Sequence, residues 1–476
     1  MSRPDGLPVG AGWLPAVATA EVRFPYDGSV VGVAPVGTAE QARRAVDEAL
    51  AVRAEVAALP SRVRRAVLLD TAAALRARTG ELEDLLVLET GKPLVDCRVE
   101  VSRSLVTLEA AAAEAARLHG ETVPLDLLPS GDGLVGFWTR RPIGVVVGVA
   151  GFNYPLLLAL HKIAPAVAAG CPVIVKPAPP TPLTTLEAVH VLREAAVAHG
   201  APAAMVQLVT GGADVGAALT GDPRIGAVSF TGSSAVGHRI AKDAAPRKVV
   251  LELGSNAALC VAADADLGRA AAAVATGGFY ASGQACISVQ RVLVEDAVAD
   301  ELTERVVAAV RALPVGDPRD PATRVAPLLD AAATERVLAR VDEAVAAGAR
   351  CLTGGLVDGV LQPTVLADVP DGVAVWDEEV FGPVVCLRRV GGTEEAFDAV
   401  NASRYGLHAS VFTTSLATAF RAVERLEVGG VVVNEVPGFR SDTMPYGGVK
   451  DSGTGREGPR FAVEELTVTR MAVIRP

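Results

Sequence analysis

The stretch PIGVVVGVAGFNYPLLLALHKIAPAVAAGCPVIVKP, Pro142 to Pro177, decides the fold. Two short apolar runs, GVVVGVAG and CPVIVK, flank a helical segment, HKIAPAVAAG, and each run stops at Gly, Pro or a polar residue. Strands that are apolar on both faces are buried on both faces, which is the habit of a parallel sheet covered by helices. The alternation continues downstream. MVQLVTG and IGAVSFTGS read as further strands, with PLTTLEAVHVLREAAVAHG and ADVGAALTG as the helices between. The expected architecture is α/β with right-handed crossovers and ligands at the carboxyl ends of the strands.

Working outward, residues from about 38 to 118 read as helices, because charged and apolar residues recur at helical spacing in AEQARRAVDEALAVRAEVAAL. The segment EVSRSLVTLEAAAAEAARL is a long helix carrying Arg103, and ETVPLDLLPSGDGLVGFWTRRP reads as a hairpin with its turn at Ser130 to Gly133. On the other side, KVVLELGSN, RVLVEDA, a helix over Val298 to Leu313, VDEAVAAGARCLTGG and VVCLRRV suggest a second α/β unit over residues 252–430. VGGVVVNEV leads to a Gly-rich loop, MPYGGVKDSGTGREG, then a helix and a terminal strand, TVTRMAVIRP.

Composition narrows the function classes. The 476 residues are 50% hydrophobic with a net charge of −11, and no Lys/Arg block offsets it. That excludes nucleic acid and an anionic membrane as expected partners. No apolar run reaches the length of a membrane span, and the opening MSRPDGLPVGAGWLP lacks the charged and apolar regions of a secretory signal. Six dispersed cysteines with no CxxC pair form neither a disulfide framework nor a zinc ribbon. The expectation is a cytoplasmic, metal-free protein of two or three domains.

One of the cysteines stands apart. In ASGQACISVQ (Ala281–Gln290), Cys286 is flanked by Gly283, Gln284 and Ser288, residues that suit a tight loop or a helix start, where a thiol becomes more acidic. It reads either as a packed thiol or as a nucleophile. A nucleophile needs a base and an oxyanion site. Glu252, at the end of the apolar run in VVLELGSNA, is a candidate base or a salt-bridged cap, since burying a carboxylate without a partner or a task is expensive. Asn153, in VAGFNYP, is a candidate oxyanion donor or an Asx-turn. SFTGSSAVG (Ser229–Gly237) is a strand–Gly–helix entry of the kind that approaches a nucleotide phosphate, without full GxGxxG spacing. Lys176 could reach a ribose or phosphate, or simply end its strand in solvent.

The ordered set GFNYP, VIVKP, SFTGS, LELGSN, GQACIS, EEVFGPV and MPYGGVKDSGTGREG resembles the aldehyde dehydrogenase superfamily over essentially the whole chain. The resemblance implies an aldehyde dehydrogenase fold: a Rossmann-like cofactor domain at 1–119 and 143–251, a catalytic domain at 252–430, a return segment at 431–459 lining the substrate tunnel, and an oligomerisation element at 120–142 and 460–476. It implies Cys286 as nucleophile, Glu252 as general base and Asn153 as oxyanion donor. It also implies NAD or NADP contacts at Lys176, Gly212, Gly216, Phe230, Thr231, Gly232, Ser233, Val236, Leu253, Gly254, Glu379 and Phe381. The chemistry it implies runs through a thiohemiacetal on Cys286, hydride transfer to the nicotinamide, and hydrolysis of a thioester by water that Glu252 activates. Homodimers or homotetramers are implied as well.

Two departures and one branch resemblance refine this. Many NAD-preferring relatives carry a Glu three residues after the lysine, where this chain has Pro179, so NADP is expected to be accepted, alongside NAD. Where some relatives line the water path with a further acid, the matching place holds Val468, leaving Glu252 as the sole nearby base. The motifs GFNYPL, GQACISV and FRSDTMPYGGVKDSG most resemble the lactaldehyde and non-phosphorylating glyceraldehyde-3-phosphate branch. There Arg103 and Arg440 would clamp a phosphate, phosphonate or carboxylate, or else serve as surface salt bridges. Tyr154 and His161 would line the tunnel or pack. The expected substrate is a small hydroxylated or anionic aldehyde. The alternatives are a CoA-acylating semialdehyde dehydrogenase and an inactive scaffold of the same fold.

Overall fold

The structure, a computed structural model, describes residues 4–476. Met1 to Arg3, assigned above to the cofactor unit, lie outside the described residues. An antiparallel strand pair, Ala18–Arg23 and Val30–Val36, precedes four helices, Ala39–Ala58, Ser61–Arg76, Thr79–Thr90 and Leu94–Ala115. The first is started by a reciprocal cap, in which Thr38 and Gln41 each bond the other's backbone N–H. Thr79–Thr90 ends at Gly91, whose φ of +70° costs a glycine little.

The first sheet has six strands in the order Gly453–Thr454, Lys248–Glu252, Ala227–Thr231, Val146–Val149, Val173–Lys176, Val206–Leu208. All neighbours in it are parallel except the Gly453–Thr454 edge. The chain starts at Val146–Val149, builds outward in one direction, then returns to the other flank at Ala227–Thr231. That reversal creates a crevice at the carboxyl ends of those two central strands. Asn153 follows one of them, and Gly232 and Ser233 follow the other. Behind the sheet, helix Pro155–Ala169 is buried along almost its whole circumference, as a sequence apolar on every face except for His161 and Lys162 demands. It begins with Pro at its first turn and stops at Gly170 with φ +84°.

The second sheet has seven strands in the order Arg350–Thr353, Thr364–Ala367, Val384–Val390, Arg291–Glu295, Ala258–Val261, His408–Phe412, Gly430–Val433. Only the Arg350–Thr353 edge is antiparallel. Two boundaries expected from sequence move. Glu252 pairs with Thr231 and Gly453 inside the first sheet, so that sheet runs through 252. The strand Gly430–Val433 carries the second sheet past 430. Both shifts have one cause: an apolar run shows that a strand exists but not which sheet it joins.

A small third sheet pairs Glu121–Thr122, Val135–Pro142 and Thr467–Ile474. The hairpin lies where it was expected, with the Ser130 to Gly133 stretch near the end of a longer excursion that includes a short helical turn, Pro129–Gly131. Val135, Met471 and Val473 stand exposed on this sheet. Among the described residues, no helix is long and apolar enough to cross a membrane.

Candidate active site

A cavity of about 340 Å³ lies between the two large sheets, and Asn153, Glu252 and Cys286 all line it. Asn153 comes from the crevice loop of the first sheet, Glu252 from the end of its strand, and Cys286 from the loop that precedes strand Arg291–Glu295. Residues far apart in sequence thus face one space.

The Cys286 loop is tightly determined. Ala281, Ser282 and Gly283 take left-handed φ values of 49°, 55° and 73° in succession. For residues with a Cβ this costs roughly 1–2 kcal/mol each, so the surroundings must impose it. They do. Asp96 accepts from Ala281 N at 2.9 Å, Ser282 Oγ and the Ala326 backbone exchange two hydrogen bonds of 2.9 Å, and Gln284 Oε1 accepts from Leu329 N at 3.1 Å. At Gly283 a Cβ would sit 2.1 Å from the Gly382 carbonyl, so only glycine fits. Cys286 itself lies in a turn closed by Ser288 N donating to Ala285 O at 3.1 Å. It is not at a helix start, so the acidifying effect of a helix N-terminus does not operate. Burial instead pushes the thiol up to about 11.

Glu252 is 4% exposed, and neither carboxylate oxygen has a hydrogen-bond partner among the described residues. Burial, then the nearby Glu457, hold its proton on well above the usual carboxylate range. The Asn153 amide nitrogen donates to the Gln284 carbonyl at 2.8 Å, and the Asn153 carbonyl accepts from Lys92 Nζ at 2.8 Å. Lys92 is buried, ion-paired with Glu100 and seated 3.6 Å over the Tyr154 ring. Glu100 in turn accepts from Leu156 N and Leu157 N, which fixes the start of helix Pro155–Ala169 beside Asn153.

The cofactor-contact residues divide into two groups. Thr231, Gly232, Ser233, Leu253, Gly254, Glu379 and Phe381 line the cavity. A Cβ on Gly254 would lie 2.5 Å from the Glu379 carboxylate, whose Oε1 accepts from Ser255 N at 2.9 Å. Burial pushes that carboxyl up to about 7. Lys176, Gly212, Gly216, Phe230 and Val236 do not line this cavity. Lys176 is buried, its ammonium reaches only the Pro177 carbonyl at 3.4 Å, and no ion pair meets it among the described residues. Gly216 packs against its stem, Gly212 starts helix Ala213–Thr220, the Phe230 ring lies under Gly232, and Val236 is exposed on helix Ser234–Ala244. Pro179 is exposed, so nothing at that position opposes a negative group beside Lys176. Arg336, unmarked in the sequence reading, also lines the cavity.

Arg103, Tyr154, His161 and Arg440 line the same cavity, but neither arginine is free. Arg103 grips Asp442 with two nitrogens at 2.8 and 3.0 Å. Arg440 pairs with Glu457 at 3.1 Å and approaches Asp442 at 3.9 Å. His161 stands between the same two carboxylates, 3.4 Å from Asp442 and 3.1 Å from Glu457. Lys162, fully buried, completes the cluster at 2.9 Å from Glu457. The arginines are therefore parts of a buried network rather than surface bridges. Glu457 and Asp442 are both held below the usual carboxylate range, despite burial, by Lys162 and His161 at Glu457 and by His161 and Arg103 at Asp442.

The placement of Val468 beside the water path is overturned. It is 43% exposed and paired with Arg141 in the third sheet, on a strand that does not enter the cavity. The acid near Glu252 is Glu457, from the GREG turn, so Glu252 is not the sole carboxylate there. Tyr446, from PYGG, was also missed. Its hydroxyl lies 3.2 Å from Cys286 Sγ.

Known proteins resemble this chain along almost its whole length. The model of the aldehyde dehydrogenase family matches residues 13–472. A 3-sulfolactaldehyde dehydrogenase of Priestia aryabhattai is 38% identical over 471 residues, covering 98% of each chain. The crystal structure of glyceraldehyde-3-phosphate dehydrogenase GapN from Methanocaldococcus jannaschii, complexed with NADP, superposes with a TM-score of 0.92 at 36% identity, covering 96% of this chain and 99% of that one. Aldehyde dehydrogenase 21 from Physcomitrella patens, in complex with the reaction product succinate, superposes with a TM-score of 0.95 at 36% identity, covering 100% and 99%.

Proposed function

This chain belongs to the aldehyde dehydrogenase family, and from that premise we propose that it oxidises a small aldehyde bearing an anionic or hydroxyl group to the carboxylic acid, with NADP or NAD as acceptor. The observation that carries this reading is the sharing of one cavity by Cys286, Asn153 and Glu252 with Glu379, Phe381, Arg103 and Arg440.

Cys286, as thiolate, attacks the aldehyde carbon. The oxygen that becomes negative is met by the Asn153 amide and the Cys286 backbone N–H, donors that need no reorganisation during reaction. Once the adduct is oxidised to the thioester, Glu252 takes a proton from water as the water attacks the acyl carbon, and Cys286 leaves as thiolate. Glu457, kept ionised by Lys162, His161 and Arg440, presses electrostatically on Glu252 and makes it the stronger base.

The residues present fit a nicotinamide dinucleotide. Lys176 is a buried cation with no ion pair among the described residues, Pro179 leaves 2′-phosphate unopposed, and Glu379 and Phe381 stand in the cavity beside Gly254. A bound NADP or NAD supplies the two-electron acceptor for the adduct. Lys176, Thr231, Gly232, Ser233, Glu379 and Phe381 would hold it.

The anionic preference rests on charge. Lys162, Arg103 and Arg440 bring three positive charges to a cluster with two firmly ionised carboxylates, Asp442 and Glu457. A sulfonate, phosphate or carboxylate on the substrate meets that surplus, and the three relatives named above handle one of each group. The exposed apolar strands of the third sheet support assembly as a homodimer or homotetramer. The decisive experiment is turnover of an aldehyde panel with each cofactor. Expected is faster oxidation of short anionic aldehydes to acids. Preference for long-chain aldehydes, or acyl-CoA as the product when CoA is added, would overturn the reading.

A further inference from the structure

One buried hydroxyl lies against the nucleophile and has no part in the steps above. Tyr446 is 3% exposed, and its Oη lies 3.2 Å from Cys286 Sγ. It is the side-chain hydrogen-bonding group that meets this sulfur among the described residues. The Arg440 guanidinium lies over the Tyr446 ring at 3.7 Å from its centroid, and the His408 ring meets it edge-on at 5.1 Å. Glu457 fixes Arg440 from behind at 3.1 Å. The phenol is thus clamped with its oxygen aimed at the sulfur.

We propose that Tyr446 is the hydrogen-bond donor that stabilises and aims the Cys286 thiolate before attack, with Arg440 reinforcing it through the ring. This rests on the reading of Cys286 as nucleophile. The geometry leaves the task without another obvious holder. Cys286 is in a turn, so no helix N-terminus supports its negative form. The groups facing it are Tyr446, Tyr280, Glu252, Glu379 and Arg440. Of these, Glu252 and Glu379 oppose a negative sulfur, and Arg440 is spent largely on the ring and on Glu457. A hydrogen bond to an ionised acceptor is about twice as strong as a neutral one, so the Tyr446 contact strengthens as the thiol loses its proton. A thiolate has no proton to give, so in that form the hydroxyl donates. Burial and the neighbouring sulfur hold the Tyr446 proton on well above the usual phenol range, which keeps the donor available. A cation on the ring face draws electron density from the oxygen and sharpens it as a donor.

The test is the rate at which iodoacetamide alkylates Cys286 in the aldehyde-free enzyme, followed on the Cys286 peptide by mass spectrometry. The rate reports the thiolate fraction. Tyr446→Phe keeps the ring under Arg440 and removes only the donor. Expected is alkylation roughly tenfold slower at each pH between about 7 and 9, an upward shift of about one unit, with equal rates after denaturation. Tyr446→Met serves in its place should the Phe enzyme not fold. Superimposable rate profiles for variant and parent would overturn the proposal. Cys286→Ala tests the underlying reading separately: persistent turnover in that enzyme would sink the nucleophile assignment, a result that slow alkylation cannot mimic.

Discussion

The Asn153 side-chain amide donates to the Gln284 carbonyl at 2.8 Å, two residues before Cys286. That bond ties the crevice of the first sheet to the loop that presents the sulfur, so one residue both aims the nucleophile and faces its product. Asn153→Ala should lower kcat by about a hundredfold or more, with KM much less affected, since the lost donor acts chiefly on the developing oxyanion. Steady-state kinetics on a short anionic aldehyde read this directly. A variant with unchanged kcat would remove Asn153 from the oxyanion site.

The two half-reactions should separate by mutation. Cys286→Ala is expected to show neither a burst of reduced cofactor nor turnover. Glu252→Gln keeps a stoichiometric burst but loses steady-state turnover by about 10²–10⁴-fold, because only water attack on the thioester needs the base. Stopped-flow absorbance distinguishes them, and full activity in the Gln enzyme would count against the assignment.

Both groups that must lose a proton are held protonated, the thiol to about 11 and Glu252 well above its usual range. Raised values mean that the active forms grow as pH rises. We therefore expect kcat/KM to climb steadily from neutral to alkaline pH, with no acidic optimum. A profile that peaks below neutrality would contradict these environments.

For the acceptor, Lys176, with no ion pair among the described residues, and Pro179 in place of a carboxylate predict that NADP is used at least as well as NAD. The measurement is kcat/KM for each at saturating aldehyde. Strict NAD dependence, with NADP inert, would refute it.

Arg103 contributes one of the three positive charges of the Asp442–Glu457 cluster and lines the cavity itself. Arg103→Met should cost an ω-carboxylate aldehyde about ten- to a hundredfold in kcat/KM, the range of a hydrogen bond to a charged group. An uncharged aldehyde of equal length should lose less. Equal losses for both substrates would detach Arg103 from anion recognition.

How much of this was legible in the sequence depends on the range of the interaction. The parallel sheet, the four leading helices and the Gly-ended strands follow from local patterning, and ordered motifs brought Cys286, Glu252 and Asn153 forward together. What pairing decides was hidden. Arg103 and Asp442 are 339 positions apart, and Cys286 and Tyr446 are 160 apart, so no spacing rule joins them. Glu457 sits in a Gly-rich turn that reads as a loop, and only the fold puts it beside Lys162 and Glu252. Val468 was misplaced for the complementary reason: register within the third sheet, not position in the chain, sets where its side chain goes.

The burial that keeps Cys286 protonated also bears on its survival. Peroxide and other cellular oxidants attack thiolates, and a thiol pushed up to about 11 presents little of that form at neutral pH. Resting enzyme therefore exposes little of its nucleophile to oxidative loss, while Cys351, exposed on an edge strand of the second sheet, is the sulfur most open to such reagents. The same enclosed turn that slows attack in the absence of aldehyde would then also slow oxidation of Cys286.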